Sequence, residues 1–168
     1  AWGWGYQGII LCEYYLLTGD AYVLPAIEQY AVYLAKGRDA AGLWGHGIAA
    51  LDRNNGVANG RLPGYAVMNS SSLPCFVMLL LAEKCGVKHP ELTAAIKQTY
   101  GFYTDYIGNG TLPYGVHNPN AKSYNNNGMS GTAAVAFALM GDQEGAAFCS
   151  KMSLAASHNI ETGHTGHY

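Results

Sequence analysis

Two carboxylates and an imidazole have the side-chain types that general acid–base work requires. Glu13 lies inside the apolar run Ile9-Ile10-Leu11-Cys12-Glu13-Tyr14-Tyr15-Leu16-Leu17. Burial there would raise its pKa and suit it to a general acid. Asp52 follows Ile48-Ala49-Ala50-Leu51 and opens the polar run Asp52-Arg53-Asn54-Asn55. As the second carboxylate of a glycosidase-like pair, it would have to converge with Glu13 within about 10 Å. His46 is the nearest proton carrier by residue type. Each residue also has a plainer reading. Asp52 fits an Asx-rich turn with a local ion pair, and Glu13 could face a lumen or pair with a loop donor.

Five of the six histidines, His46, His117, His158, His164 and His167, fall in or near segments rich in Gly and aromatic residues. Neutral imidazole is a common metal ligand. No Cys or carboxylate pattern completes a ligand set, so hydrogen bonding within loops is the expected role, and neither metal nor cofactor is assigned. Trp2, Trp4, Tyr6, Trp44 and Tyr114 share these segments. Aromatic rings with polar tips in a concave mouth suit a saccharide or a peptide. On this reading Trp4, Tyr6, Trp44, Tyr114, His117, His164 and His167 bind the ligand. The competing reading is that each aromatic plugs its own hairpin and each Gly permits a tight turn.

The elements that must carry these residues are helices. From about Gly8 to Thr18 the chain is apolar on nearly every side, the mark of a buried helix. Gly19 suits a left-handed cap and Asp20 the N-cap of the next helix. That helix, to about Lys36, has one apolar stripe of Val23, Ile27, Tyr30, Ala31 and Leu34. The loop Gly42-Leu43-Trp44-Gly45-His46-Gly47 follows. The cycle recurs. Ser72 can cap a helix with Pro74 in its first turn, Phe76 to Ala82 is apolar throughout, and a second helix near His89-Pro90 carries Leu92, Ile96, Tyr100, Tyr103 and Ile107. A third unit runs from Ser130 through Met140, turns at Gly141-Asp142 and continues to about His158. The segment Ala1-Trp2-Gly3-Trp4-Gly5 reads as the tail of a preceding loop, and Asn118 to Asn127 as a long polar loop. No period-2 alternation predicts strands.

The period is roughly sixty residues, so residues 1–168 are expected to form a single all-α domain of about three repeated helical hairpins. Fully buried helices alternating with half-buried ones fit two concentric layers, as in an arc or part of an α/α toroid. Three hairpins would leave apolar open ends. That predicts further hairpins of the same chain or self-association of copies. The start at Ala1 and the stop at Tyr168 in Gly-His-Thr-Gly-His-Tyr are read as signs of a fragment or a mature chain.

Composition narrows the classes. Charged residues make up 12%, about half the usual 25%, and the formal net charge is −2. No basic patch exists, so nucleic acid is not an expected partner. The longest apolar run, Phe76 to Ala82, falls far short of the ~20 residues a membrane span needs. Cys12, Cys75, Cys85 and Cys149 form no Cys-x-x-Cys pair. Cys75 and Cys85, about 15 Å apart on one helix, cannot form a disulfide, and all four read as small buried hydrophobes. Asn69-Ser70-Ser71 and Asn109-Gly110-Thr111 match the glycosylation sequon, and a secreted or cell-surface location is favoured.

Leu16-Leu17-Thr18-Gly19-Asp20, Leu43-Trp44-Gly45-His46-Gly47 and Gly163-His164-Thr165-Gly166-His167-Tyr168 together resemble bacterial α/α-toroid proteins of the terpenoid cyclase and prenyltransferase-like class. The resemblance implies a fold and not a chemistry. The Gly-Cys-Gly-Glu-Gln run of thioester domains and the Asp-x-Asp-Asp cluster of terpene cyclases are absent, and no zinc set of the prenyltransferase kind is recognisable. Two functions remain. One is a binding or structural module, with assembly through its open ends. The other is a carbohydrate-active hydrolase or lyase acting in the toroid mouth.

Overall fold

The computed structural model describes residues 1–49, 67–116 and 129–157. These form helices α1 (Trp2–Thr18), α2 (Leu24–Lys36), α3 (Asn69–Lys84), α4 (Pro90–Thr104), α5 (Ser130–Met140) and α6 (Gln143–Ser157), with a 3-10 turn at Ala21–Val23 ahead of α2. The described residues contain no strand, only single bridges between Gly45 and Val67 and between Met68 and Gly115. The protein is all-α. No helix among the described residues is long and apolar enough to cross a membrane.

Local chemistry closes the hairpins. Gly19 ends α1 at φ 71°, and Gly141 ends α5 at φ 81°. This left-handed backbone costs a side-chain-bearing residue more than it costs Gly. The following Asp then caps the partner element. Asp20 accepts from the Tyr22 N–H at 3.0 Å, and Asp142 accepts from the Gly145 N–H at 2.8 Å.

Helix α3 is the centre of the core. It packs between α1 and α5 and also touches α2 and α4. Every residue from Asn69 to Ala82 is buried; for Leu73 to Ala82 the uninterrupted apolar run requires it. Helices α2 and α4 pack on each other, and each buries one stripe: Ile27, Ala31, Leu34 and Ala35 on α2, and Leu92, Ala95, Ile96, Thr99 and Tyr103 on α4. Arg38, just past α2, ties the pair together. Its Nε donates to Gln98 Oε1 at 2.9 Å, and Nη1 donates to Glu91 Oε2 at 3.0 Å and to the Ala35 carbonyl.

The structure departs from the sequence reading at two helix starts and one helix face. Helix α1 begins at Trp2, so Trp2, Trp4 and Tyr6 stand on a helix and not in a loop. Gly5 and Gly8, poor helix formers, are held there by packing on α3. A Cβ at Gly5 would lie 3.0 Å from the Cys75 backbone nitrogen, and one at Gly8 would lie 2.5 Å from Met78 Cγ. Helix α3 begins at Asn69, which places Pro74 in the second turn, and Ser72 is not its cap. Helix α1 is not buried all round. Its buried positions are Gly5, Gly8 and Cys12, while Tyr6, Ile10, Tyr14, Leu16 and Leu17 are exposed. Its packing partners are α3, α2 and the 3-10 turn, and the side turned away from α3 meets solvent.

Candidate functional site

The loop after α2 is seated on the first turn of α3. Trp44 is fully buried at its centre. Its indole Nε1 donates to the Leu34 carbonyl at 2.8 Å, and its backbone N–H donates to Ser72 Oγ at 2.9 Å. Its carbonyl oxygen accepts from Ser71 Oγ, Ser72 Oγ and the Met68 N–H. Every polar group of Trp44 is thus spent inside the protein, as burial demands. The loop after α4 sits on α5 in the same way, with the Leu112 N–H donating to Ser130 Oγ at 3.0 Å.

Between these two loops the start of α3 presents Asn69, Ser70, Ser71 and Ser72, all buried. Asn69 Nδ2 donates to the Pro113 carbonyl at 3.0 Å and the Gly115 carbonyl at 2.8 Å. Asn69 therefore fixes the second loop on the helix that already holds the first. The sequence pattern alone reads Asn69 as a sequon residue and Ser72 as a helix cap, whereas in the structure both hold loops on α3. The available signal was four consecutive small polar residues directly before a wholly apolar run. Asn109, the other sequon residue, is exposed, and its Nδ2 donates to the Asp105 carbonyl.

The other expected site residues divide into two groups. Glu13 is exposed on α1 and not buried. His46 is exposed and meets Trp2 edge-on at 5.2 Å, at the opposite end of α1 from Glu13. Trp2 and Glu13 are separated by three turns, about 16 Å of helix axis, so Glu13 and His46 are not brought together. Tyr114 is half-buried in the loop that Asn69 holds, and its carbonyl accepts from the Ser70 N–H. Tyr6 is exposed on α1. Asp52, His117, His164 and His167 lie outside the described residues, as do His158 and the polar stretch Asn118 to Asn127. Among the described residues no group of three or more His, Cys, Asp or Glu could hold a metal ion.

The family model for a domain of unknown function, DUF6288, matches residues 1–168. The chain belongs to the DUF6288 family. No curated protein and no solved structure matches it.

Trp4 opens a different feature of this DUF6288 domain. With Gln29, Tyr30 and Tyr33 it lines a cleft of about 280 Å³ between α1 and α2. Trp4 and Tyr33 meet edge-on at 4.5 Å, and the Tyr30 hydroxyl donates to Gln7 Oε1 at 3.1 Å. Among the described residues no charged side chain lines the cleft. Its rings, hydroxyls and amide suit a neutral group with one apolar face and several hydroxyls.

Proposed function

We propose that this chain is a structural and binding module of the α/α-toroid kind, an arc of stacked hairpins in which the rim loops seal the repeat. Trp44 carries this reading. It is the most prominent aromatic of the expected rim, and it is wholly buried with its indole N–H, backbone N–H and carbonyl all bonded internally. A residue spent in this way has nothing left to offer a ligand. A buried central helix, α3, beside one-sided helices α2 and α4 fits the two layers of such an arc.

A carbohydrate-active hydrolase or lyase needs two carboxylates, or a carboxylate and a base, around one cavity. Glu13, exposed and three helical turns from the end that holds His46, supports that less well. The deciding experiment is an assay of the purified chain against cellulose, xylan, pectin and chitin, reading reducing ends and unsaturated products. The module reading expects no turnover. Turnover that disappears in Glu13→Gln would overturn it.

A second reading, saccharide binding without chemistry, is favoured by the cleft of Trp4, Gln29, Tyr30 and Tyr33. Titration with cellobiose and chitobiose, followed by ligand-observed NMR, should give saturation transfer that Tyr33→Ala and Gln29→Ala both reduce. Transfer unaffected by either substitution would place the sugar elsewhere.

A further inference from the structure

Helices α1 and α3 run side by side in the same direction, with Gly5 against Cys75 and Gly8 against Met78. At the far end of this seam two thiols meet. Cys12 is fully buried on α1, and Cys85, the residue that ends α3, is 7% exposed. Cys85 Sγ donates to the Cys12 carbonyl at 3.7 Å. The same sulfur accepts a hydrogen bond from the Cys12 thiol. Two thiols bonded to each other need only a short movement to reach disulfide geometry. The other two cysteines stand apart from this pair. Cys75 lies at the opposite end of the seam, where its thiol donates to the Ala1 carbonyl at 3.8 Å, and Cys149 is on α6.

The contact also makes the two thiols unequal. Burial raises the pKa of both, but the hydrogen bond from Cys12 works against that rise at Cys85 and adds to it at Cys12. The thiolate is the attacking species in thiol–disulfide exchange, so Cys85 is the thiol that reacts first. Its position favours the same order. Helix ends open locally at lower cost than helix centres, and Cys85 closes α3 whereas Cys12 lies within α1.

We infer that Cys12 and Cys85 form a reversible disulfide that pins the first hairpin to the second when a low-molecular-weight disulfide, such as oxidised glutathione, is present. The Cys85 thiolate attacks one sulfur of the oxidant and displaces a glutathione thiolate, which takes up the Cys85 proton. Cys12 then gives up its proton and attacks Cys85 Sγ, and the second glutathione leaves with that proton. Two protein thiols are oxidised, and one oxidant disulfide is reduced to two thiols. The new bond closes the chain from Cys12 to Cys85, a loop that holds α2 and Trp44. Closing a long loop restricts the unfolded chain and so stabilises the folded one. The clip goes beyond the module reading and does not depend on it.

Peptide mapping without reductant tests the pairing. Trypsin cuts after Lys36, Arg61, Lys84 and Lys88, so Cys12 falls in peptide 1–36, Cys75 in 62–84 and Cys85 in 85–88. The folded protein is equilibrated with oxidised glutathione, unfolded in iodoacetamide and then digested. Peptide 1–36 should be recovered joined to 85–88, with Cys75 and Cys149 alkylated as thiols. The thermal midpoint of the oxidised protein should rise by about 5–10 °C and fall back when dithiothreitol is added. Cys12→Ala should give neither the joined peptide nor the rise, and should leave Cys85 as a mixed disulfide with glutathione. If Cys12→Ala does not fold, Cys85→Ala at the helix end takes its place and should likewise lose both signals. Cys12 and Cys85 recovered as thiols, or either one joined to Cys75 or Cys149, overturns the inference. So does a bridge that leaves the midpoint unchanged or lowers it. None of these results bears on sugar turnover, the test of the module reading.

Discussion

Trp44 and Ser72 exchange two hydrogen bonds: the Trp44 N–H donates to Ser72 Oγ at 2.9 Å, and that hydroxyl donates back to the Trp44 carbonyl at 2.9 Å. One side chain on α3 therefore satisfies both backbone groups of a residue 28 positions earlier. Leu112 and Ser130 repeat the donation one hairpin later. Ser72→Ala strands a buried N–H and should cost about 1–3 kcal/mol. Trp44→Ala removes the plug itself and should cost about 3–5 kcal/mol. Urea unfolding midpoints check both. A Trp44→Ala variant as stable as the wild type would show that the rim is not part of the core.

The close approach of α1 and α3 makes a second prediction with an internal contrast. A methyl at Gly5 meets backbone, at 3.0 Å from Cys75 N and 3.1 Å from Pro74 C. A methyl at Gly8 meets the Met78 side chain, which can move. Overpacking costs about 1–3 kcal/mol, offset in part by the better helix propensity of Ala, worth about 1 kcal/mol. Gly5→Ala should therefore destabilise more than Gly8→Ala. Met78→Ala should make room at Gly8 alone, giving a coupling energy of about 0.5–3 kcal/mol in a double-mutant cycle. Equal costs at both glycines, with no coupling to Met78, would contradict the packing described.

What could be read from the sequence was local, and what could not was relational. Gly19-Asp20 and Gly141-Asp142 announce their turns because cap chemistry lies within a few residues. The run Phe76–Ala82 announces burial because it has no polar side. The start of α1 was illegible because Gly3, Gly5 and Gly8 lower helix propensity, and the reason two of them are tolerated lies across the seam on α3. The burial of Asn69-Ser70-Ser71-Ser72 was illegible because its hydrogen-bond partners come from loops 28 and 44 positions away in sequence. Trp44 shows the same limit for function. A Trp among glycines fits a binding rim and a plug equally well, and only its hydrogen-bond partners separate the two. The exposed side of α1 is not legible in the sequence, because an all-apolar helix implies neighbours all round without showing where they come from.

Asn69 gives a third prediction. Its amide donates to two carbonyl oxygens in a fully buried position. Asn69→Asp would set an acceptor, or a buried charge, against those oxygens. A loss of about 3 kcal/mol or more is expected, with the change concentrated in the loop of Leu112 and Tyr114. Thermal unfolding followed by circular dichroism reads the loss. A variant with unchanged stability would mean that Asn69 does not hold the loop.

The thiols set a pH dependence. Burial is the main cause that raises all four cysteines, pushing Cys75 and Cys149 from an ordinary 9.0 up to about 12 and Cys12 higher still. Cys85 Sγ adds a contact, donating to the Cys12 carbonyl at 3.7 Å across the α1–α3 seam. A folded pKa above the unfolded one means that the native state keeps its proton while the unfolded state loses it. This contribution is fully present below pH 9 and is lost as pH rises from about 9 towards 12. Urea midpoints should fall across the alkaline range, and iodoacetamide at pH 8 should label the folded protein slowly and the unfolded protein at all four sites. Rapid labelling of the native protein would show that the seam is open.

Native-state hydrogen exchange at the Trp44 and Leu112 amides is the most direct test of the sealed rim. These two N–H groups are donated to Ser72 and Ser130, and both residues are fully buried. If the loops are part of the folded core, both amides should exchange only through global opening, as slowly as Leu79 in the middle of α3. Exchange orders of magnitude faster than Leu79 would mean that the rim opens on its own, which would contradict the sealed module and return the loops to the list of ligand-binding surfaces.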